Sequence, residues 1–580
     1  MPLILNGRSL IGGNAQGELL FADTGLSFWG GVDPVTSEVI DRHHPLSGRH
    51  LAGRVLAIPS GRGSCTGSSV MMELISAGQA PAALIVAEVE EILTLGVLLA
   101  QMIFQRSLPV LCVGKEAFGQ LREHRFARVV DSTLQLHSTL PDDAFRAVAA
   151  RAPVQSSSDS IELNAQDLAM LAGDQGKAAQ IAMQVVLQMA ELQGASQLID
   201  VTQAHIDGCI YTGPSSLRFA EQLVAWGAKV AVPTTLNSIS VDQRRWRELG
   251  IDPTLGVPAS ALGDAYMAMG AQMSFTCAPY LLDTAPKANE QIVWAESNAV
   301  VFANSVLAAR TLKYPDYLDI CIAICGRAPL AGCHLDEHRQ ARLRVHVVDV
   351  TDVDDAFYPL LGYHIGAIAG KQVPWISGLE QAKPGLDEMK AFSAAFGTTS
   401  AAPMFHMAGV TPEALGPAPA DLSAVEIRLA DLLSSWHELN SARESKVDVI
   451  SLGNPHFSLS EFARLADLCR GRQKHPDTAL VITCGRAIHA QAEQAGYIAD
   501  LSAFGASIVT DTCWCMLGEP VIPPGARTVM TNSGKYAHYA PGLVGRTVHF
   551  SGLHACVDAA VAGVAVGGLP GWLARSLPGR

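Results

Sequence analysis

The sequence predicts an α/β protein that consists of a small N-terminal unit and a larger C-terminal unit with parallel sheets. Short β-rich runs alternate with helical segments over residues 1–140. In the C-terminal third, β-branched runs recur with helical material between them, as a parallel βαβ sheet requires. A chain of 580 residues is also too long for one ordinary core, so two or more domains are expected.

The N-terminal unit, residues 1–140, is predicted to be a compact α/β or β-barrel-like domain. Helices are expected at Ser69–Ala77 and Val89–Phe104, and Gly78 stands where the first helix would be capped at its C-terminus. The expected strands are Arg54–Ile58, Ala83–Val86, Pro109–Val113 and Ala127–Val130.

Residues 141–160 are predicted to form a linker. The stretch Gln155–Ser160 holds four serines and one aspartate and offers nothing to bury. The second unit then begins near Ile161 and extends to residue 580. Its first strong signal is a helix that ends near Gly194. The buried face of that helix is marked by Ile181, Val185, Met189 and Leu192.

Four β-rich runs near the C-terminus are each followed, at once or after one residue, by a polar motif. Open parallel sheets bind ligands beyond the carboxyl ends of their strands, so the four motifs are predicted to meet at one site. A helical stretch at Leu459–Cys469 separates the first two runs. The runs are Val447–Ser451, Ala479–Thr483, Ser507–Thr510 and Thr528–Thr531, and the motifs are Gly453–His456, Cys484–Arg486, Asp511–Cys515 and Asn532–Lys535.

Composition narrows the class of protein. The formal net charge is −14, and we find no run of basic residues interleaved with aromatics, so a nucleic-acid partner is not expected. The apolar window Ile92–Phe104 is too short to span a bilayer. Twelve cysteines without a signal-type N-terminus favour reduced thiols. The expectation is a soluble, cytoplasmic protein with no membrane partner.

Some of these thiols lie in settings that raise the question of metal binding. Cys513 and Cys515 are two positions apart in an extended segment, so both could face one metal centre, one could bind while the other packs, or both could be core thiols. Cys277 lies two residues before a proline, which indicates a loop. The glycine-rich turn Gly61–Ser69 could bind an anion or be an ordinary strand-to-helix turn.

The sequence resembles the aconitase X family over essentially its whole length. Eight motifs in matching order carry the resemblance, and they are specific only together. They are SFWGGVDP at Ser27–Pro34, GRGSCTGS at Gly61–Ser68, HIDG at His205–Gly208, VPTTLN at Val232–Asn237, FTCAPYL at Phe275–Leu281, ESNAVVFANSVLAART at Glu296–Thr311, DTC at Asp511–Cys513 and NSGKYAHYAPG at Asn532–Gly542. The resemblance implies a small swivelling β/α domain fused to a larger, multi-layer, aconitase-like α/β catalytic domain.

The resemblance also implies an iron–sulfur dehydratase. In that superfamily a cluster iron holds the departing hydroxyl, and a serine on the swivelling domain removes the proton from the neighbouring carbon. Ser64 stands at the position that looks like this base, and Cys65 is the alternative because a thiolate forms more readily than an alkoxide. Arg62 and Lys535 could stabilise the charge that develops on the substrate carboxylate.

The chain departs from the family pattern at one ligand motif. The archaeal branch, which resembles mevalonate 5-phosphate dehydratase, carries Gly-Cys-Pro-His where this sequence reads Gly453-Asn454-Pro455-His456. A smaller cluster, [2Fe–2S], bound by Cys277, Cys513 and a third ligand is therefore expected, with [3Fe–4S] and [4Fe–4S] as alternatives. The candidates for the third ligand are Cys515, Cys65 and Cys484.

Polar residues in the recognised motifs are expected to contact the substrate or to orient groups that do. For His205 and Asp207, a hydrogen-bonded core histidine and a turn-stabilising aspartate are the structural alternatives. The expected substrate-binding residues are Arg62, Thr66, Gly67, Ser68, His205, Asp207, Thr235, Asn304, Ser305 and Lys535.

The activity implied by the resemblance is dehydration of cis-3-hydroxy-L-proline to an enamine that tautomerises to Δ1-pyrroline-2-carboxylate. One alternative is a dehydratase for a phosphorylated hydroxy acid such as mevalonate 5-phosphate, which would need several cations near the Gly61–Ser69 turn. Another is a non-catalytic iron–sulfur sensor. The expected partner is a small hydroxy amino acid, and the expected assembly is a monomer or small homo-oligomer.

Overall fold

The computed structural model describes residues 2–139 and 161–577, so the predicted linker at 141–160 lies outside the described residues. The chain divides into two compact units. Unit 1 comprises Met1–Pro233, Ala268–Gly270 and Tyr314–Ala331, and unit 2 comprises Thr234–Met267, Ala271–Lys313 and Gly332–Arg580. Unit 1 therefore joins the predicted small domain to the first part of the predicted catalytic domain.

The strands of the described residues are numbered in chain order. They are β1 (Leu3–Asn6), β2 (Arg8–Ile11), β3 (Asn14–Phe21), β4 (Val55–Ile58), β5 (Ala83–Val86), β6 (Val110–Cys112), β7 (Phe126–Val130), β8 (Thr133–His137), β9 (Leu198–Asp200), β10 (Ala204–Ile206), β11 (Thr234–Leu236), β12 (Val293–Trp294), β13 (Arg327–Pro329), β14 (Leu343–Val347), β15 (Pro374–Ser377), β16 (His406–Met407), β17 (Ala424–Ile427), β18 (Val449–Leu452), β19 (Ala479–Cys484), β20 (Ser507–Thr510), β21 (Thr528–Thr531) and β22 (Thr547–Phe550).

The α-helices are numbered in the same way. They are α1 (Gly67–Ala77), α2 (Glu91–Phe104), α3 (Lys115–Gly119), α4 (Ala165–Ala172), α5 (Lys177–Gln193), α6 (Pro214–Ala225), α7 (Pro253–Ala268), α8 (Ser297–Ser305), α9 (Leu318–Cys325), α10 (Asp336–Arg339), α11 (Phe357–Ala369), α12 (Leu386–Thr399), α13 (Leu433–Leu439), α14 (Leu459–Cys469), α15 (Arg486–Gln494), α16 (Tyr497–Phe504), α17 (Gly534–Leu543), α18 (Leu553–Ala562) and α19 (Gly571–Arg575).

An eight-stranded mixed sheet organises the N-terminal part of unit 1, with the order β1-β8-β7-β3-β4-β5-β6-β2. Strands β3 to β6 run parallel to their neighbours within that group, whereas β1, β8 and β7 pair antiparallel. Strands β4 and β5 are buried along their whole length, as expected for central strands covered on both faces. The predicted strands and helices are present here with small shifts at their ends.

Two helix ends in unit 1 follow their predicted glycine caps. Gly78, after α1, has φ 74°, and Gly194, after α5, has φ 71°. This left-handed conformation costs glycine little, so these residues stop their helices where the sequence predicted.

Two parallel sheets organise unit 2. One has the order β16-β15-β14-β17, and the other has the order β20-β19-β18-β21-β22. The second sheet contains all four C-terminal runs that the sequence predicted, and α14 has the predicted bounds between β18 and β19. Ser458 and Glu461 form a capping box at the start of α14, with Glu461 N donating to Ser458 Oγ at 3.1 Å.

Among residues 2–139 and 161–577, no helix combines the length and the apolar character that crossing a membrane would require.

Candidate functional site

The carboxyl ends of four neighbouring strands in unit 2 meet at one edge of the five-stranded sheet. Strands β20, β19, β18 and β21 are adjacent in that order and parallel, so the polar motifs that follow them come together. The motif after β18 contacts the motif after β20 directly: Asn454 Nδ2 donates to Cys515 Sγ at 3.2 Å, and His456 Nε2 donates to Thr512 O at 2.8 Å. The predicted convergence of strand-end motifs is confirmed.

Three buried thiols lie together at this edge. Cys513 interacts electrostatically with both Cys277 and Cys515, and its Sγ donates to Met516 Sδ at 3.6 Å. Their relative exposures are 3% for Cys277, 6% for Cys513 and 7% for Cys515, so all three are shielded from solvent. The neighbouring Cys277 thiol raises the pKa of the Cys513 thiol, and burial adds to this effect. We refer to Cys277, Cys513 and Cys515 as the thiol group.

The structure separates the three candidates for the third ligand. Cys515 belongs to the thiol group, whereas Cys484 is the last residue of β19 and packs in the hydrophobic core between the sheet and its helices. Burial raises the pKa of the Cys484 thiol. Cys65 lies in unit 1 and is fully buried there. Of the three, Cys515 is the one that contacts another predicted ligand within unit 2.

The Gly-Asn-Pro-His motif holds two members of the thiol group. The backbone N–H of His456 donates to Cys277 Sγ at 3.3 Å, while Asn454 reaches Cys515. Gly453 has φ 94°, and a Cβ at this position would lie 2.2 Å from Thr483 O, so only glycine fits where the chain leaves β18. The asparagine of this motif therefore places an amide donor against Cys515.

His456 is a neutral histidine that links two loops. Its Nε2–H donates to Thr512 O, and its Nδ1 lies 3.1 Å from Thr276 Oγ1. Because the Thr512 carbonyl can only accept, the ring proton is on Nε2 and Nδ1 accepts from the threonine hydroxyl. Burial lowers the pKa of His456 to about 4. The neutral ring thus fixes the segments that carry Cys277 and Cys513.

A buried ion pair lies beside the thiol group. Lys535 Nζ donates to Glu296 Oε1 at 2.7 Å. Glu296 also accepts from Asn298 Nδ2 at 2.6 Å and from Asn237 Nδ2 at 3.2 Å. Asn298 Nδ2 additionally donates to Cys277 O at 3.0 Å. Both oxygens of Glu296 therefore have hydrogen-bond partners, and Asn298 connects the ion pair to the backbone of a thiol-bearing loop.

The charges of this pair depend on each other and on the thiols. Burial on its own would lower the pKa of Lys535, but the interactions with Glu296, Cys515 and Cys513 outweigh it and the pKa is raised. Burial on its own would raise the pKa of Glu296, but Lys535 and Asn298 outweigh it and the pKa is lowered. Lys535 is therefore a permanent cation next to groups that become anionic when they bind metal.

The donor set of the thiol group fits an iron–sulfur cluster. Cysteine thiolates are the usual protein ligands of such clusters. Neighbouring thiols can exchange their protons for metal, and the Lys535 cation reduces the repulsion among the resulting thiolates. The observation that decides this fit is the position of Cys513, a buried thiol with the buried thiols of Cys277 and Cys515 as its neighbours.

The glycine-rich turn Gly61–Ser68 lies in unit 1 and carries the predicted base. Ser64 Oγ lies 3.0 Å from Thr66 Oγ1, and Thr66 Oγ1 donates to Asp207 Oδ2 at 3.0 Å. Since the Thr66 proton points to Asp207, the Ser64 proton points to Thr66. All three side chains are buried. Ser64, Thr66 and Asp207 thus form a hydrogen-bonded chain that leads from a hydroxyl to a carboxylate.

Helix α1 fixes this turn through polar contacts within unit 1. Ser69 Oγ lies 2.5 Å from Thr212 Oγ1 and accepts from Tyr317 OH at 2.8 Å. One turn further, Glu73 accepts from Ser215 N at 2.8 Å. The polar face of α1 is therefore bound to the segments that follow Asp207.

The other residues predicted to bind substrate in this turn differ in exposure and in their contacts. Arg62 Nη2 donates to Asp41 Oδ2 at 2.8 Å, and its side chain stays 24% exposed. Ser68 Oγ donates to Ile92 O at 2.7 Å, and a Cβ on Gly67 would meet Ile92 Cγ2 at 3.0 Å. Gly67 and Ser68 therefore support packing between α1 and the start of α2. Their predicted substrate contact stays a prediction.

The remaining predicted residues are spread over the fold. Asn304 Nδ2 donates to Thr311 O at 3.0 Å and to Pro403 O at 3.1 Å, and Ser305 Oγ accepts from Phe405 N at 2.9 Å. These bonds join α8 to neighbouring loops of unit 2. His205 is buried in β10 of unit 1, and Thr235 is buried in β11 of unit 2. A role for these four in binding the substrate stays a prediction.

Sequence reasoning missed several residues of the site. Glu296, Asn298, Asn237 and Thr276 were not predicted, and His456 was noted only as part of its motif. The sequence did contain a signal for Glu296 and Asn298, because they are polar residues at the start of a segment of mostly small and apolar residues. Such a segment is expected to be buried, and a buried polar group needs a hydrogen-bond partner. Nothing in their spacing indicated that the partner would be Lys535.

Four family models match consecutive parts of the chain. They are described as the aconitase X swivel domain, matched by residues 4–136, and the aconitase X first, second and third domains, matched by residues 160–337, 341–437 and 447–562. The matches cover most of the sequence and include both the Gly61–Ser68 turn and the thiol group.

Relatives of known activity match over long stretches. A cis-3-hydroxy-L-proline dehydratase from Pseudomonas aeruginosa is 60% identical over 98% of each chain. One from Hypocrea jecorina is 52% identical over 99% of this chain and 98% of its own. A phosphomevalonate dehydratase large subunit from Methanothermobacter thermautotrophicus is 35% identical over 65% of this chain and 93% of its own.

A solved structure has the same fold over most of the chain. The crystal structure of Thermococcus kodakaraensis aconitase X in its holo-form superposes with a TM-score of 0.63 at 32% sequence identity, over 69% of this chain and 100% of the other. The predicted aconitase-like architecture is confirmed.

Proposed function

The chain belongs to the aconitase X family of iron–sulfur dehydratases, and from this premise we propose that it removes water from cis-3-hydroxy-L-proline to give Δ1-pyrroline-2-carboxylate. The identity with the two full-length dehydratases of that name supports this substrate. The identity with phosphomevalonate dehydratase is lower and covers a smaller part of the chain. The structural observation that carries the proposal is the thiol group at the strand ends of unit 2.

In this proposal Cys277, Cys513 and Cys515 hold an iron–sulfur cluster of the [2Fe–2S] type. When bound, the cluster supplies a Lewis-acidic iron for the departing hydroxyl. A [3Fe–4S] or [4Fe–4S] cluster is the alternative, although Asn454 then stands where the archaeal branch has a further thiolate. Asn454 and the His456 backbone donate to the sulfurs, and such donors orient ligands and stabilise their anionic form.

Ser64 is the proposed proton acceptor. It would take the proton from the carbon next to the substrate carboxylate while its own proton passes to Thr66 and the Thr66 proton passes to Asp207. The carbanion-like electrons then form the double bond as hydroxide leaves, so the charge is balanced. The hydrogen-bonded order Ser64, Thr66, Asp207 supports this route. Cys65 is the alternative acceptor.

Arg62 is the proposed partner of the substrate carboxylate. A guanidinium carries five N–H donors, and the described contacts of Arg62 use one of its nitrogens, Nη2, for Asp41. Lys535 was predicted to bind substrate as well. Because it binds Glu296 at 2.7 Å beside the thiols, the role we propose for it is to neutralise the thiolates, which leaves Arg62 as the cation for the carboxylate.

The setting we propose is a reducing cytoplasm. None of the twelve cysteines, all of which lie among the described residues, forms a disulfide, and an iron–sulfur site of this kind needs its thiols reduced. The partner is a small hydroxy amino acid.

The decisive experiment is to purify the protein without oxygen and incubate it separately with cis-3-hydroxy-L-proline and with mevalonate 5-phosphate. We expect consumption of the first compound and formation of Δ1-pyrroline-2-carboxylate, followed by mass spectrometry. Consumption of only the phosphorylated acid would replace the substrate assignment. A protein that binds iron and sulfide yet consumes neither compound would favour a sensor.

Replacing Cys277, Cys513 or Cys515 by serine should abolish colour and turnover together, whereas Cys469→Ser, in the core of the same unit, should preserve both.

A further inference from the structure

Two buried hydroxyl groups, on residues adjacent to or packed against the loop of Cys513 and Cys515, have no hydrogen-bond partner among the residues that the structure describes. They are the Tyr536 hydroxyl and Thr512 Oγ1. Both side chains are completely buried. A buried hydroxyl that is left unsatisfied destabilises a fold, so each such group in a native protein calls for an explanation such as a bound ligand.

Thr512 lies in the loop that carries two of the thiols, and Tyr536 packs against that loop. Thr512 directly precedes Cys513, and its carbonyl is already held by His456. Tyr536 is in the first turn of α17 and follows Lys535. Its ring lies 5.3 Å from that of Trp514, the residue between Cys513 and Cys515. Burial raises the pKa of Tyr536, and the neighbouring Cys515 and Cys513 raise it further.

The chemistry of the two groups indicates what their partner would be. A tyrosine or threonine hydroxyl can donate a hydrogen bond, and inorganic sulfide is an acceptor that carries negative charge. Hydrogen bonds to cluster sulfurs raise the reduction potential of an iron–sulfur centre, because they stabilise the extra negative charge of the reduced form. Asn454 Oδ1 is a further buried atom without a hydrogen-bond partner among the described residues. It can only accept a hydrogen bond, so it cannot donate to a sulfide.

We propose that the hydroxyls of Tyr536 and Thr512 donate hydrogen bonds to the inorganic sulfides of the cluster held by the thiol group, and that they set its reduction potential. Both act as positioning residues that keep the cluster in its working redox state. This inference rests on the proposed function, since it requires a cluster at Cys277, Cys513 and Cys515.

The test compares the full-length wild-type protein with Tyr536→Phe and Thr512→Val, all prepared without oxygen. Iron and sulfide content, the visible spectrum, the reduction potential from a redox titration and the resonance Raman spectrum in H2O and D2O are measured for each. We expect unchanged iron and sulfide in the variants, a more negative potential, and loss of part of the deuterium shift that the wild-type Fe–S bands show. Tyr358→Phe is the matched control, because Tyr358 is a buried tyrosine of unit 2 that packs on Phe357.

Different outcomes overturn different claims. If the wild-type protein binds no iron and sulfide, the proposed function fails. If the wild type holds a cluster, and Tyr536→Phe keeps its potential and its deuterium shift, the present inference fails while the proposed function stands. If Tyr536→Phe does not retain the cluster, the Thr512→Val variant decides the question. An unchanged reduction potential in Thr512→Val overturns the proposal, and a more negative reduction potential supports it.

Discussion

Arg486 binds the carboxylate of Asp511 through two hydrogen bonds, from Nε to Oδ1 at 2.5 Å and from Nη2 to Oδ2 at 2.6 Å. Asp511 starts the loop that carries Cys513 and Cys515, and it adopts φ 69°. Aspartate tolerates this left-handed conformation better than most residues. The bidentate pair therefore connects the motif after β19 to the loop after β20 and fixes the direction in which the two thiols leave the sheet.

Replacing Arg486 by lysine should weaken cluster binding. Lysine keeps the charge but cannot make the paired hydrogen bonds, so the Cys513 loop becomes less well positioned. We expect less iron per chain after anaerobic purification and faster loss of iron to a chelator. Arg472→Lys is the control, since Arg472 pairs with Asp558 at the surface. Equal chelation rates for Arg486→Lys and wild type would contradict this role.

Lys535 and Glu296 should show strong coupling in a double-mutant cycle. Removing one partner of a buried ion pair leaves an unpaired charge, so Lys535→Met alone should lower the free energy of unfolding by about 3 kcal/mol or more. The double variant Lys535→Met with Glu296→Gln should recover part of that loss. Urea denaturation of the metal-free proteins measures both effects. Additive losses would show that the pair does not act as a unit.

Ser64→Ala should lower kcat by about 10²- to 10⁴-fold if Ser64 is the base. Asp207→Asn should also lower kcat, because an amide is a much weaker proton acceptor than the carboxylate at the end of the chain. The double variant should lose little more than Ser64→Ala, because the two groups act in one proton route. Iron content should be unchanged in each. Ser9→Ala, at an exposed strand position, is the control, and full turnover by Ser64→Ala would leave Cys65 as the candidate base.

Glu90 should give unit 1 a pH-dependent stability. It is buried, its Oε2 accepts from Leu93 N at 2.7 Å, and a Cβ on Gly61 would lie 2.6 Å from its Oε1. Burial raises the pKa of Glu90 to about 7 from an ordinary value of 4.5. The folded state therefore holds the proton more tightly than the unfolded state, and stability falls as pH rises through the window from 4.5 to about 7.

Glu90→Gln removes this titration while it keeps the side-chain oxygen that accepts from α2. The stability of the variant relative to wild type should rise by about 3 kcal/mol between pH 4 and pH 8. Thermal midpoints of both proteins, measured in parallel across this range, provide the test, and the comparison cancels the other titrating groups. A difference that does not change with pH would contradict the raised pKa.

The strands and helices could be predicted because their signals are local. Ser507–Thr510, Thr528–Thr531 and Leu459–Cys469 have the predicted bounds, since β-branched runs and helical periodicity are read within a few residues. The meeting of the strand-end motifs followed from the parallel arrangement alone. The thiols Cys277 and Cys513 were predicted as ligands through the family resemblance.

The ion pair and the hydrogen-bonded chain could not be predicted from the sequence. Lys535 is 239 residues from Glu296, and Thr66 is 141 residues from Asp207. No periodicity relates positions so far apart. The hydrogen bonds of Asn304 and Ser305 with backbone atoms of other loops could not be predicted either. Every residue type carries the same backbone groups, so the sequence does not indicate which of them will be the partner.

The sequence by itself determined the elements, the parallel arrangement of the C-terminal strands and the set of thiols available for metal, since these depend on local pattern and residue chemistry. Only the tertiary structure decided that Cys515 rather than Cys484 joins Cys277 and Cys513, and that Lys535 pairs with Glu296 beside them. The physical reason is that burial makes each polar group take a partner, and packing of distant segments selects which partner is within reach.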